Sequence, residues 1–247
     1  MMDKVFDLIK KEQKRQHETL MMIASENYPF PEIINNQLSI INNKYSEGYS
    51  GKRYYQGNKY IDEIENLAIE RAKKVFNVQY ANVQPYSGSP ANAAAIIALL
   101  SPGEKIMGLK LSGGGHLTHG HPNITFSGKF FQSVQYNVNE DGWIDYQEIE
   151  RLAIQEKPKL MVIGTTAYPR TLEFERFYKI AKSIGAYVLA DISHIAGLVA
   201  GGAHPSPVGF ADVITTTTHK TLRGPRGAMI LSSDAEIAKR IDKAVFP

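Results

Sequence analysis

Three short apolar runs, each preceded by a segment of helical period, constrain this chain more than anything else in it. Lys105-Ile106-Met107-Gly108-Leu109 follows an alanine-rich stretch that ends at Leu100. Leu160-Met161-Val162-Ile163-Gly164 follows residues 146–156, and Ala186-Tyr187-Val188-Leu189-Ala190-Asp191 follows residues 173–184. Strands buried on both faces read as continuous apolar runs, and helices between them carry the chain back to start a parallel neighbour. The expected fold class is therefore α/β, a mostly parallel sheet flanked by helices. With 247 residues and 43% hydrophobic content, the chain has enough apolar surface for a sizeable core.

The first third reads differently. Residues 3–19 have helical period, with Val5, Phe6 and Ile9 on one side. Leu20-Met21-Met22-Ile23-Ala24 then runs into Ser25-Glu26-Asn27, and a short helix is expected over 31–41, opened by Pro31. Residues 43–57 have neither period, with three glycines and four tyrosines. Such a segment reads as an ordered loop at a site or subunit contact, or as a plain surface loop. Residues 60–76 return to clear helical spacing. At the far end a helix over 235–244 is followed only by Val245-Phe246-Pro247, which reads as a chain cut in mid-course.

Composition excludes several functions. There are 28 basic and 25 acidic residues, for a formal charge of +3. The one dense basic cluster, Lys10-Lys11 with Lys14-Arg15, is interrupted by Glu12 and reads as a solvated helix face, so no nucleic-acid partner is expected. No run has membrane-spanning length and no signal-peptide core is present, so the expectation is a cytoplasmic protein. The absence of cysteine removes disulfides and thiolate metal sites.

Four stretches carry candidate chemistry. In Thr215-Thr216-Thr217-Thr218-His219-Lys220 a β-branched strand gives way to a turn that breaks at Gly224-Pro225. A lysine beyond a strand's carboxyl end is either a surface cation or, when desolvated, an amine able to form a Schiff base with a carbonyl compound. Asp191-Ile192-Ser193-His194 closes a buried strand, where the carboxylate faces a ligand crevice or caps a helix. Ser87-Gly88-Ser89-Pro90 opens a helix, with Pro90 at its first position, and is either ordinary capping or a phosphate site. Ser112 to His121 holds three of the seven histidines in a glycine-rich loop. It reads as a metal site, a structural loop, or a cofactor loop whose imidazole stacks on a flat ring. Together, a lysine, a strand-end aspartate and a helix-opening Ser-Gly-Ser supply what pyridoxal phosphate requires at its aldehyde, ring nitrogen and phosphate.

The ordered motifs resemble one family. Ala24-Ser25-Glu26-Asn27, Asn43-Lys44-Tyr45 with Glu47-Gly48-Tyr49, and Gly51-Lys52-Arg53-Tyr54-Tyr55 are similar to serine hydroxymethyltransferase. So are Ala81-Asn82-Val83-Gln84-Pro85, Gly114 to Gly120, and Thr215 to Lys220 with Gly224-Pro225-Arg226-Gly227. The resemblance implies the large domain of a fold-type I pyridoxal phosphate enzyme, like that of aspartate aminotransferase. Residues 1–58 would form a helical N-terminal arm with an interface loop, and 59–247 the cofactor domain. A C-terminal small domain, with the main arginine for the substrate carboxylate, would be absent from this chain.

By the same resemblance Lys220 is the Schiff-base lysine and Asp191 the partner of the ring nitrogen. His116 stacks on the ring, and His194 lies near the phenolic oxygen. Gly88, Ser89 and His219 hold the phosphate. Thr166 and Thr217 line the pocket, Arg226 sits beside ring and lysine, and Ser25 meets the substrate carboxylate. Tyr45, Glu47, Tyr54 and Tyr55 serve the partner subunit's site in a homodimer, with Glu47 the proton-transfer carboxylate. Leu111, Gly115 and Leu117 line the folate pocket. No metal is implied. The implied reaction interconverts serine and tetrahydrofolate with glycine and 5,10-methylenetetrahydrofolate. The alternatives are a folate-independent aldolase of β-hydroxy amino acids and a non-catalytic dimerising fragment. The chain departs from the family pattern at Tyr86, at Ser112-Gly113 and at Arg223, which brings a second cation close to Lys220 in sequence.

Overall fold

The computed structural model describes residues 3–246; Pro247, named above at the chain's end, lies outside the described residues. The chain opens with helix α1 (Lys4–Glu18), whose first turn is capped by Asp3 accepting from the Val5 N–H. None of its residues is buried, so Val5, Phe6 and Ile9 show their stripe to solvent within this chain. Helix α2 (Pro31–Gln37) is shorter than its expected span, and a 3-10 turn, Ile40–Asn43, follows it. The Asn35-Asn36 pair, whose side chains compete for backbone hydrogen bonds, precedes the break. The segment at 43–57, expected to lack periodic structure, holds a small hairpin, β1 (Gly48–Tyr49) and β2 (Lys52–Arg53). Gly48 is required there: its φ is +98°, and a Cβ would lie 2.6 Å from the Lys52 carbonyl.

Helix α3 (Lys59–Phe76) leads to strand β3 (Tyr80–Asn82) and then helix α4 (Gly88–Leu99). Pro90 is the third helical residue rather than the first; its missing N–H costs nothing in a first turn either way. Next come β4 (Lys105–Leu109), α5 (Phe126–Phe130), β5 (Gln132–Tyr136), α6 (Tyr146–Glu156), β6 (Leu160–Gly164), α7 (Phe174–Ser183) and β7 (Tyr187–Asp191). The chain continues through α8 (Ala196–Ala200), β8 (Val213–Thr217), β9 (Ala228–Ser232) and α9 (Ala235–Val245). The short α5 and α8, the edge strand β5 and the strand β9 were not anticipated from periodicity.

The main sheet has seven strands in the order β3-β9-β8-β7-β6-β4-β5. β5, β4, β6, β7 and β8 are parallel neighbours, and β9 alone runs against the rest. The expectation of a mostly parallel sheet between helices holds. Successive strand residues alternate between two cores. Leu160, Val162 and Leu189 pack with α4 and α9, while Met161, Ile163, Val188 and Ala190 pack with α6 and α7. This is the double burial that the continuous apolar runs reflect. The register sets Gly164 beside Asp191 and Asp191 beside Thr215, so β6, β7 and β8 end on one rim. Among the described residues no helix is long and apolar enough to cross a membrane.

Candidate active site

A cavity of about 200 Å3 opens at that rim, lined by Gly88, Ser89, His116, Asp191, His194 and Lys220 among others. Lys220 lies three residues past the end of β8, and its Nζ is 3.1 Å from His194 Nε2. Burial pushes the amine below the ordinary lysine range, against the opposing charge of Asp191. His194 is pushed down to about 4, chiefly by burial and then by the neighbouring Lys220 charge. A half-buried lysine whose ammonium is disfavoured by burial meets the condition that the Schiff-base reading requires.

Asp191 is buried at the end of β7. Burial alone would raise its pKa, but hydrogen bonds and a nearby imidazole hold it well below the usual carboxylate range. His119 Nε2 lies 3.0 Å from Oδ2, Asn92 Nδ2 donates to the same oxygen at 2.8 Å, and the Ser193 N–H donates to Oδ1 at 3.0 Å. Asn92 is itself held, donating to Thr118 Oγ1 at 2.8 Å and accepting from Thr215 Oγ1 at 2.6 Å. Oδ1 thus carries one donor and keeps a free lone pair in a residue that lines the cavity. The roles of Asn92 and His119 in fixing this carboxylate were not read from the sequence. The signal was present for Asn92, a lone amide in an alanine-rich helix turn that had no other reason to be polar.

Helix α4 begins beside these groups. Its N-cap, Ser87, makes no side-chain capping bond, which leaves first-turn N–H groups unclaimed. A Cβ on Gly88 would lie 2.8 Å from Thr217 Cγ2, and Thr217 Oγ1 is buried without a partner. His116 is pushed down to about 4 by burial and by the charge of His119, and its Nδ1 meets Thr118 Oγ1 at 2.8 Å. Thr166 Oγ1 donates to the carbonyls of Gly114 and Gly115 at 3.1 and 2.8 Å, tying the glycine loop to the rim. His219 and Arg226 also line the cavity and pass into a neighbouring cleft that contains Ser25.

The histidine loop does not converge on a metal. His121 Nδ1 faces the Pro122 carbonyl, and among the described residues no group of three or more His, Asp or Glu is placed to hold an ion. Arg223 does not point at the lysine. Its Nε donates to the Tyr28 carbonyl at 2.9 Å, and its guanidinium lies 4.2 Å from the Phe30 ring centre.

Several candidate residues stay outside the cavity within this chain. Glu47 is exposed immediately before the hairpin that begins at Gly48. Tyr45 and Tyr54 are exposed, as is Tyr55, whose ring packs on Tyr45 at 5.5 Å. Arg53, almost fully buried, fastens this hairpin to α3 through Asp62 at 2.7 Å and Glu65 at 3.1 Å. Leu111 is exposed and Leu117 half-buried on the loop after β4, while Gly115 is buried against the Leu109 carbonyl.

Comparison with known proteins gives one answer along the whole chain. The family model described as Serine hydroxymethyltransferase matches residues 1–247. The serine hydroxymethyltransferase of Desulfotalea psychrophila is 56% identical over 243 residues, covering 98% of this chain and 57% of the relative. That of Campylobacter jejuni is 56% identical over 248 residues, covering 100% of this chain and 60% of the relative. That of Mycoplasmopsis agalactiae is 57% identical over 239 residues, covering 97% and 56% respectively. The chain thus spans less than two thirds of the length of these curated relatives.

Proposed function

The chain belongs to the serine hydroxymethyltransferase family, and from that premise we propose that it carries the pyridoxal phosphate site of an enzyme interconverting serine and tetrahydrofolate with glycine and 5,10-methylenetetrahydrofolate. The observation that carries this reading is the convergence of three groups on one cavity: a desolvated amine, an ionised buried carboxylate and an uncapped helix start. The residues fit the group. Thr217 Oγ1 lacks a partner, the absence of a Cβ at Gly88 lets the helix start sit close against Thr217, and Asp191 Oδ1 has a lone pair to spare.

Pyridoxal phosphate, when bound, supplies an aldehyde for the lysine and a ring that takes up negative charge from an amino acid's α-carbon. Lys220 would be the amine that holds it. Asp191 would keep a proton on the ring nitrogen, since a carboxylate held this far below its ordinary range favours a positive partner. Gly88, Ser89 and His219 would hold the phosphate, with the N–H groups of the α4 start as donors. His116 would cover one face of the ring, and His194 would sit by the phenolic oxygen. Thr166, Thr217 and Arg226 would close the walls, and Ser25 would receive the substrate carboxylate from the adjoining cleft.

The hairpin points to a second copy of the chain. Glu47, Tyr45, Tyr54 and Tyr55 are exposed and do not line their own chain's cavity; they flank a hairpin fastened by Arg53, and α1 presents an apolar stripe to solvent. A homodimer in which each hairpin completes the other site accounts for both features, with Glu47 moving the proton at the hydroxymethyl group. Leu111, Gly115 and Leu117 would then border the folate. A cysteine-free protein acting on such small soluble molecules suits the cytoplasm.

The test begins with the chain itself. Adding pyridoxal phosphate should produce the visible band of a lysine-linked cofactor, and Lys220→Ala should abolish it. Serine-dependent glycine formation that requires tetrahydrofolate then identifies the reaction. Absence of the band in the parent would overturn the cofactor reading.

A further inference from the structure

Residues 20–30 cross the mouth of the lysine turn with little apolar burial of their own: Leu20 is 91% and Met22 88% exposed. Among the described residues only two hydrogen bonds join this segment to the sheet domain. Asn27 Nδ2 donates to the carbonyl of Lys220 at 2.8 Å, and Arg223 Nε donates to the carbonyl of Tyr28 at 2.9 Å. Both ends are pre-set. The Asn27 amide is oriented by its Oδ1, which accepts the Tyr28 N–H at 2.9 Å. Arg223 adopts a left-handed φ of +56°, which turns its side chain out of the turn and lays the guanidinium on Phe30. The Lys220 carbonyl accepts the Arg223 N–H at 3.0 Å as well as Asn27. Asn27 and Tyr28 also line a cleft of about 420 Å3, which is bordered by Ser25 and Glu26, by His219, Pro225 and Arg226 of the lysine turn, and by residues of α1 and α2.

We propose that Asn27 and Arg223 are positioning residues, a two-point latch that fastens residues 25–30 to the backbone of Lys220. The latch sets the width of the cleft, and hence the distance from Ser25 to the cofactor cavity. It also holds the peptide from which the amine projects. Neither side chain enters the cavity, so both act through Lys220 and Ser25. The part of this inference that concerns the amine rests on the reading of Lys220 as the cofactor lysine.

The test uses the cofactor-free chain and two variants, Asn27→Asp and Arg223→Gly. The first replaces the donor by an acceptor at constant shape. The second removes the guanidinium while suiting the left-handed backbone, so the turn itself survives. Amide hydrogen exchange over residues 24–30 should speed up severalfold in Asn27→Asp, which loses a neutral hydrogen bond, and by on the order of tenfold in Arg223→Gly, which loses a charge-assisted one, with the melting temperature of the sheet domain unchanged. The pyridoxal phosphate concentration giving half the visible absorbance should rise severalfold, and Arg223→Lys should not restore it, since an ammonium lacks the flat fork that stacks and donates together. Exchange at 24–30 equal to the parent's in both variants overturns the latch. Faster exchange with an unaltered cofactor titration overturns the positioning role. If the parent itself gives no visible band, the cofactor reading falls, and the exchange comparison alone decides the latch.

Discussion

Lys220 Nζ and His194 Nε2 share a hydrogen bond of 3.1 Å inside a cavity that disfavours the positive charge of both. Burial is the main cause in each. Asp191 is the charge that opposes it at the lysine, so the carboxylate and the amine are electrostatically coupled without touching.

That coupling has a direction. Labelling of Lys220 by an amine-reactive dinitrophenyl reagent, followed by peptide mass, should show a half-point below the ordinary lysine value of 10.5. In Asp191→Asn the half-point should move further down, because the charge that favours the ammonium is gone. A half-point that rises in this variant would contradict the assignment.

Stability should depend on acid in a defined window. His116 and His194 each have a pKa of about 4 in the folded chain against 6.5 as the ordinary value. Between those values the unfolded state binds more protons, so stability rises with pH from 4 to 6.5 and levels off above. The scale is about 1.4 kcal/mol per pKa unit, reduced because both rings are only partly buried. Asp191 acts in the same direction further down, its contribution being lost as pH falls through its depressed pKa. His116→Asn should flatten part of the 4–6.5 slope in urea unfolding; an unchanged slope would refute the cause given.

Asn92 has one carboxylate and two hydroxyls depending on it. In Asn92→Leu the Asp191 Oδ2 loses a donor, Thr215 Oγ1 loses its acceptor in a buried site, and Thr118 Oγ1 keeps His116 but loses the amide. A loss of about 2–3 kcal/mol is expected by denaturant unfolding. Asn92→Asp should also weaken the site, because a second carboxylate beside Asp191 makes it costly to keep both ionised.

Gly164 ends β6 next to Asp191. A Cβ there would lie 2.5 Å from the Asp191 carbonyl and 3.0 Å from both Asp191 Cβ and His119 Cε1. Because the closest clash is with backbone, Gly164→Ala should cost about 1–3 kcal/mol of stability and displace the Asp191–His119 pair. A parental melting temperature together with parental cofactor affinity would show that the rim yields more than this packing allows.

Much of this protein is determined locally and was legible as such. Leu160 to Gly164 and Tyr187 to Asp191 announce buried parallel strands because both faces of each must be apolar. The motif residues Lys220, Asp191, Gly88, His116 and His194 do converge on one cavity, since parallel strands deliver their ends to one rim. Other features were decided by contacts between residues far apart in the chain. Asn92 and His119 serve Asp191 only after α4 and the glycine loop pack across the end of β7, at separations of 99 and 72 positions. β9 was invisible to periodicity because its place comes from antiparallel pairing with β8 and β3 rather than from a helix crossover. Arg223 is the plainest case. In sequence it stands three residues from Lys220 and looks like a charge on the lysine, yet its left-handed backbone sends the guanidinium to Tyr28 and Phe30. Proximity along the chain sets which residues can meet, but backbone direction and long-range packing decide which of them do.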